Sequence, residues 1–277
     1  MTIRHLILTR FNIVCDDDTP FFGNTPEYLE QRFRLFETYC LPSVVAQTRQ
    51  DFLWLVMFHP DTPQEFKQRI DEYATQYTFF RPVYCPSTNE QEVAEFYTSV
   101  AQQYSDGCEW VLTTRLDNDD ILHRDHIRYL REYIDRQPPQ AATFYSFPYG
   151  VQIFLQEQAA YRVTFVPNHF LSLLEPAERP LTAFGINHRH VERVPYTLVQ
   201  IDGLIAWAEL VHATNWLNDY MPEMHPRVQF VVEENAFPLP LGLYLNPIRN
   251  TYILVKKHVC FRLRQMARHL RKLLGRA

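Results

Sequence analysis

The chain has 277 residues, 46% of them hydrophobic and 21% charged, a composition that fits a folded globular protein and excludes a disordered one. Five scattered cysteines (Cys15, Cys40, Cys85, Cys108, Cys260) with no Cys-x-x-Cys pair exclude a zinc ribbon and a disulfide framework. The net charge of −5 hides an asymmetry: residues 256–277 carry eight Lys or Arg and no acid, leaving 19 basic against 32 acidic residues elsewhere, a net of −13.

In chain order, Ile3 to Leu8 reads as a first strand. Thr25-Pro26-Glu27 opens a helix, with a capping residue and then Pro at the first helical position, and Tyr28, Leu29, Phe33, Phe36 and Cys40 step along it at helical spacing. Phe52 to Phe58 is a continuous apolar run of strand length, the pattern of a strand covered on both faces. Thr62-Pro63-Gln64-Glu65 has the form of a capping box and starts a helix to about Tyr77. A third strand from Phe79 to Tyr84, a third helix from Glu90 to Tyr104, a fourth strand from Glu109 to Leu116 and a fourth helix from His123 to Arg136 follow. This alternation with short connections predicts a doubly wound α/β sheet. The second half is proline-rich and more irregular, with strand candidates at 141–147, 150–155, 161–166 and 204–211.

The fourth strand runs straight into Asp117-Asn118-Asp119-Asp120. In open α/β sheets, ligands bind beyond the carboxyl ends of strands, so this places an oxygen-rich anionic pocket where a ligand belongs. Hard cations such as Mg²⁺ or Mn²⁺ take oxygen ligands and combine one or two carboxylates with substrate phosphates. The chemistry that needs this is departure of a nucleoside diphosphate, whose growing charge the cation neutralises. A turn that merely caps the next helix would use the same residue types. An EF-hand is excluded, because Ile121 and Leu122 stand where a ligand and Gly are required. The seven glycines form neither G-x-G-x-x-G nor a P-loop, so phosphate binding would rest on a cation and side chains.

Thr9-Arg10-Phe11-Asn12, Tyr39-Cys40-Leu41-Pro42-Ser43 with Gln47-Thr48, Phe52 to Val56, and Arg115-Leu116-Asp117-Asn118-Asp119-Asp120 together resemble the rhamnosyltransferase family of bacterial GT-A-type glycosyltransferases, over most of residues 1–215. The resemblance implies a GT-A-like, Rossmann-like mixed sheet with helices on both faces. It implies a nucleotide-sugar donor, a glycan or lipid-linked acceptor, and Mn²⁺ or Mg²⁺. Residues 1–250 would form one catalytic domain, with 1–122 binding the nucleotide sugar and 123–250 facing the acceptor, and 251–277 a basic C-terminal helix.

The GT-A Asp-x-Asp maps onto Asp117 and Asp119. Asp119 would bind the cation, and Asp117 would meet the donor ribose or reach the cation through water. Some enzymes of this type complete the metal shell with a late His, and His212 is the best positional match, with His188 and His190 as rivals. Thr9, Arg10, Phe11 and Asn12 would contact the nucleotide, Phe11 by stacking on the base and Asn12 by reading its edge, unless they form an ordinary loop. Arg115 either meets the donor phosphates or pairs with Asp120. If the reaction inverts the anomeric centre it needs a general base, for which Asp202, Glu175 and Glu178 are candidates. The run Asp16-Asp17-Asp18 reads as a solvated loop.

Val259, Leu263, Met266, Leu270, Leu273 and Leu274 recur at three- and four-residue steps amid Arg and Lys. This basic amphipathic helix suits either an anionic membrane surface or the acidic body of the chain itself. The acidic body argues against nucleic acid as a partner. Scattered thiols and the short apolar stretch at the N-terminus predict a cytoplasmic protein, peripheral on the inner membrane face if the tail binds lipid. The rival enzyme reading is a sugar-nucleotide nucleotidyltransferase, against which the glycine-free loop after the first strand counts. The rival non-enzyme reading is a glycan- or nucleotide-binding protein without catalysis.

Overall fold

A computed structural model describes residues 2–13, 22–212, 236–239, 244 and 246–273; Asp16 to Asp18 and Leu274 lie outside them. Eleven strands are present among these residues: β1 Ile3–Arg10, β2 Phe52–Phe58, β3 Phe80–Tyr84, β4 Trp110–Arg115, β5 Ile121–Leu122, β6 Thr143–Ser146, β7 Tyr149–Phe154, β8 Ala159–Thr164, β9 Ser172–Pro176, β10 Thr197–Gln200 and β11 Ile205–Val211. The α-helices are α1 Pro26–Leu35, α2 Leu41–Val45, α3 Gln64–Gln76, α4 Glu90–Tyr104, α5 His126–Arg136 and α6 Pro247–Leu273.

The main sheet has seven strands in the order β10-β6-β9-β4-β1-β2-β3. β1 to β4 run parallel, and β9 lies antiparallel between β4 and β6, so the sheet is mixed as expected. The apolar run of β2 is explained by its two covered faces. Trp54, Val56 and Phe58 point into a core shared with α1, α3 and α5, while Leu55 and Met57 point into a second core closed by Val93, Tyr97, Val100 and Ala101 of α4. Helices therefore cover both faces.

A smaller sheet, β5-β11-β7-β8, stands beside the first and packs α6 against β8 through Leu254, Phe154 and Tyr161. Gly150 of β7 lies under the Trp207 indole, and any Cβ there would collide with the ring.

Two local features differ from the sequence expectation. Residues 26–45 are helical throughout, but Phe36–Cys40 winds as a wider π turn. Pro42 has no N–H to continue the ladder, and the wide turn absorbs that break while Phe36, Cys40 and Val44 all stay buried. The capping box at Thr62 does not form. The Thr62 hydroxyl donates to the His59 carbonyl at 2.6 Å and accepts from Asn12 at 3.0 Å, so tertiary partners have taken the cap. Helix α4, by contrast, is capped by Asn89, whose Oδ1 accepts from the N–H groups of Gln91 and Glu92.

Candidate active site

β1 and β4 are neighbours at the centre of the sheet, and from β1 the chain order runs outward through β2 and β3 on one side and starts again with β4 on the other. The crevice beyond their carboxyl ends is the topological switch point, where doubly wound sheets hold ligands. Asp117 to Asp120 occupy it as a tight turn, with the Asp120 N–H donating to the Asp117 carbonyl at 3.1 Å.

The segment beyond β4 is clamped from below by α2 and its flanks. Cys40 Sγ donates to the Asp117 carbonyl, and Ser43 Oγ accepts from the Leu122 N–H at 3.2 Å. Gln47 donates to the His123 carbonyl at 2.9 Å and accepts from the Ile127 N–H at 3.1 Å, and Thr48 Oγ1 donates to Asp125 at 2.5 Å. Asn118 is the clamp from above: its Nδ2 donates to the carbonyls of Arg10 and Phe11, at 3.0 and 2.6 Å, tying the ends of β1 and β4 together. Asn118 therefore shapes the turn and has no spare donor for a ligand.

Three carboxylates stand in this turn with different environments. Asp117 retains the most solvent access, with 33% of its side chain exposed. Burial alone would raise its pKa, but the charges of Arg115, His169 and Arg10 outweigh burial and hold it well below the usual carboxylate range. Asp119 is buried, and Arg32, 3.2 Å away, together with a hydrogen bond from His212 likewise outweighs burial and lowers it. Asp120 is the exception. Burial, Asp119 and Asp117 push it well above its ordinary value. Its Oδ1 accepts from the Leu210 N–H at 3.1 Å, and its Oδ2 lies 2.9 Å from His169 Nε2.

Each buried carboxylate therefore has its own imidazole: His212 Nε2 lies 2.9 Å from Asp119 Oδ2, as His169 does from Asp120. Donor atoms of Asp117, Asp120 and His169 also lie within 4.8 Å of one another. Three carboxylates and two imidazoles converging in one largely buried place form a donor set suited to a divalent cation, whose charge would relieve the repulsion that raises Asp120.

Beside Asp117 a cationic pocket opens. Arg10 and Arg115 both lie over the Phe184 ring, at 5.2 and 4.9 Å, and Asn187, Glu90 and Val93 are among the other lining residues. Arg115 pairs with Asp117 at 3.2 Å, not with Asp120.

Of the residues expected to bind nucleotide, Arg10, Arg115 and Asp117 are brought together here. The other three are engaged within the fold. Thr9 is fully buried, its Oγ1 accepting from Trp54 Nε1 at 2.9 Å and its carbonyl from the Tyr97 hydroxyl at 2.6 Å. Phe11 faces inward against Phe33, Phe58 and Phe36, at 4.5, 4.8 and 5.3 Å, so its ring is already stacked on the core. Asn12 is saturated by Asn24, Thr62 and the His59 N–H.

The expected bases lie elsewhere. Glu175 pairs in register with Val111, near the opposite end of β4, and accepts from the N–H groups of Leu181 and Thr182 at 2.8 Å. Burial raises it to about 7 despite those bonds. Asp202 is exposed ahead of the amino end of β11, whereas the quartet meets that strand at Leu210, and Glu178 is exposed. His190 faces Glu192, but His188 is half-buried beside His169, lowered to about 3 by burial and then by Arg115 and His169.

Three residues of the site, Arg32, His169 and Glu209, carry no sequence signal that would have found them, whereas His188 is among the expected rivals. Arg32 is one of two arginines in α1, yet it pairs with Asp119 and donates to Asn118 Oδ1. His169 precedes β9. Glu209 is buried on β11 and accepts from Gln152 at 2.9 Å; burial raises it to about 7. His188 adds its ring, with Nδ1 lacking a partner among the described residues.

Among solved structures, S. aureus TarS 1–349 aligns at 15% identity with a TM-score of 0.32, over 56% of this chain and 35% of that one, and its complex with UDP aligns equally. A "putative nucleotide-diphospho-sugar transferase" from Desulfovibrio desulfuricans G20 aligns at 8% identity and a TM-score of 0.36, over 76% of this chain and 81% of that one. The chain thus spans about a third of the TarS fragment, and at these TM-scores the likenesses carry no weight for fold or function. No curated protein matches the sequence. A family profile does, across residues 22–224, which include β2 to β4, the acidic quartet and His212. The chain belongs to the family described as "Putative rhamnosyl transferase".

Proposed function

We propose that this protein is a glycosyltransferase that moves a sugar from a nucleoside-diphosphate donor to a glycan or lipid-linked acceptor with the help of Mn²⁺ or Mg²⁺. The observation that carries the reading is the meeting of Asp119 and His212 beside solvent-accessible Asp117, at the switch point of the sheet. Asp119 and His212 would hold the cation, with Asp117 reaching it directly or through water. When bound, such a cation would supply electrostatic stabilisation of the charge that develops on the leaving diphosphate. Arg10 and Arg115 would flank those phosphates from the pocket over Phe184, bidentate guanidinium donors being well matched to them.

The proximity of Asp117, Asp120 and His169 supports a second donor set. Asp119 and His212 are preferred because Asp119 is held ionised, as a ligand must be, whereas Asp120 is pushed toward its neutral form and already accepts from Leu210.

The direct test is hydrolysis and transfer from nucleoside-diphosphate rhamnose and other sugar nucleotides with and without Mn²⁺, comparing wild type with Asp119→Ala. Metal-dependent turnover that Asp119→Ala abolishes supports the reading. Full metal-dependent activity in the variant refutes this assignment of the cation.

A further inference from the structure

Helix α6 is 27 residues long, about 40 Å at helical rise. One face of it is anchored. Leu254 is buried against Phe154 and Tyr161, Lys257 pairs with Glu157 at 2.7 Å and covers the Phe154 ring at 4.3 Å, and the Asn250 carbonyl accepts from the Tyr161 hydroxyl at 2.8 Å. The outward face is apolar. Ile248, Tyr252, Val255, Val259, Leu263 and Met266 follow steps of four, three, four, four and three, and each is 50% to 84% exposed. At 100° per residue they fall within an arc of about 80°.

Packing of α6 on the acidic body thus uses the other face and leaves this stripe uncovered. Its flanks are cationic: Lys256 and Arg262, both exposed, stand about 60° to either side of its centre line. Pro247–Leu273 contains eight Lys or Arg and no acid. Two copies laid stripe to stripe would bring two such helices together with no acidic partner, so the charge opposes self-association. An anionic lipid surface satisfies both parts of the face, taking the apolar stripe into the acyl boundary and the cations among its headgroups. No helix among the described residues is long and apolar enough to cross a membrane, so the geometry is that of a helix lying on the surface.

We propose that α6 docks this protein on an anionic membrane surface through the Ile248–Met266 stripe and its flanking Lys256 and Arg262. The net charge of −13 on the rest of the chain is repelled by such a surface, which turns the body outward and the helix inward. Phe154, beneath Lys257, is the register partner of Val211, the residue before His212. The docked helix therefore meets the small sheet at the strand end that presents the candidate active site.

The test is sedimentation of the full chain with vesicles of phosphatidylcholine alone and of equal parts phosphatidylcholine and phosphatidylglycerol, without donor or metal, so that its outcome is independent of the glycosyltransferase reading. Binding to the anionic vesicles at least about tenfold tighter than to the neutral ones is expected. The double variant Val259→Asp, Leu263→Asp and the double variant Lys256→Glu, Arg262→Glu should each lose about tenfold or more, with unchanged circular dichroism because all four side chains are exposed. No preference for anionic vesicles overturns the proposal, as does wild-type binding by both variants. A dimer in sedimentation velocity that the aspartate variant abolishes, without vesicle binding, would assign the stripe to a second copy and also overturn it.

Discussion

His212 Nε2 and Asp119 Oδ2 stand 2.9 Å apart across 93 residues of sequence. That separation is a hydrogen bond, and the same two atoms are the ones that would hold the cation in the proposed reading. His212→Ala should weaken Mn²⁺ binding by at least about tenfold in calorimetric titration, and His169→Ala by much less. The reverse order would move the cation to Asp117, Asp120 and His169.

Arg32 neutralises Asp119 at 3.2 Å, and the pair is largely buried. Its removal leaves an uncompensated carboxylate beside Asp117 and Asp120, which costs about 3–5 kcal/mol for a buried pair. Arg32→Ala should therefore lower the denaturation midpoint in EDTA and recover part of the loss when Mn²⁺ is added. An equal loss in both conditions would mean that no cation replaces the guanidinium.

The Glu209 carboxyl, raised to about 7 from an ordinary value of 4.5, gives a pH dependence of known sign. The folded state holds this proton more tightly than the unfolded state, so its contribution to stability is complete below about pH 4.5 and is lost as pH rises through 7. The span corresponds to about 3 kcal/mol. Glu209→Gln keeps an acceptor for Gln152 and removes the titration. Urea unfolding in EDTA should show the variant gaining on wild type between pH 5 and pH 8, and a constant difference would remove Glu209 as the source.

Phe11 separates core from ligand roles. Surrounded by Phe33, Phe36 and Phe58, it should cost about 3–5 kcal/mol when truncated to Ala. Phe11→Leu should fold and bind nucleotide with nearly wild-type affinity. A well-folded Phe11→Leu protein with strongly weakened nucleotide binding would restore the stacking role.

Asn118→Ala tests the clamp between β1 and β4. The carbonyls of half-buried Arg10 and buried Phe11 lose their donor, a loss worth about 1–3 kcal/mol for the buried one. Chemical denaturation measures it directly, and a neutral effect would show that water or the chain refills the gap.

The sequence alone determined the alternation of strands and helices in the first half, because parallel strands covered on both faces need unbroken apolar runs such as Phe52–Phe58. It also placed the acidic quartet, since a strand followed by four oxygen-bearing residues reads the same locally as it does in three dimensions. Tyr39 to Thr48 carried the family resemblance, but their work as a clamp beneath the quartet became visible only in hydrogen bonds to residues more than 70 positions away.

Tertiary structure decided the rest. Strands β5, β9 and β10 are short and gain their hydrogen bonds from distant partners, so they leave little periodic pattern of their own. Past β1, Phe11 is drawn inward by three aromatic rings, which the residue types Thr-Arg-Phe-Asn could not announce. Most of all, β9, antiparallel to β4, and β11, parallel to β7 and antiparallel to β5, carry His169 to Asp120 and His212 to Asp119. Those pairings depend on strand order, and strand order is a property of the whole sheet that no single segment of the chain encodes.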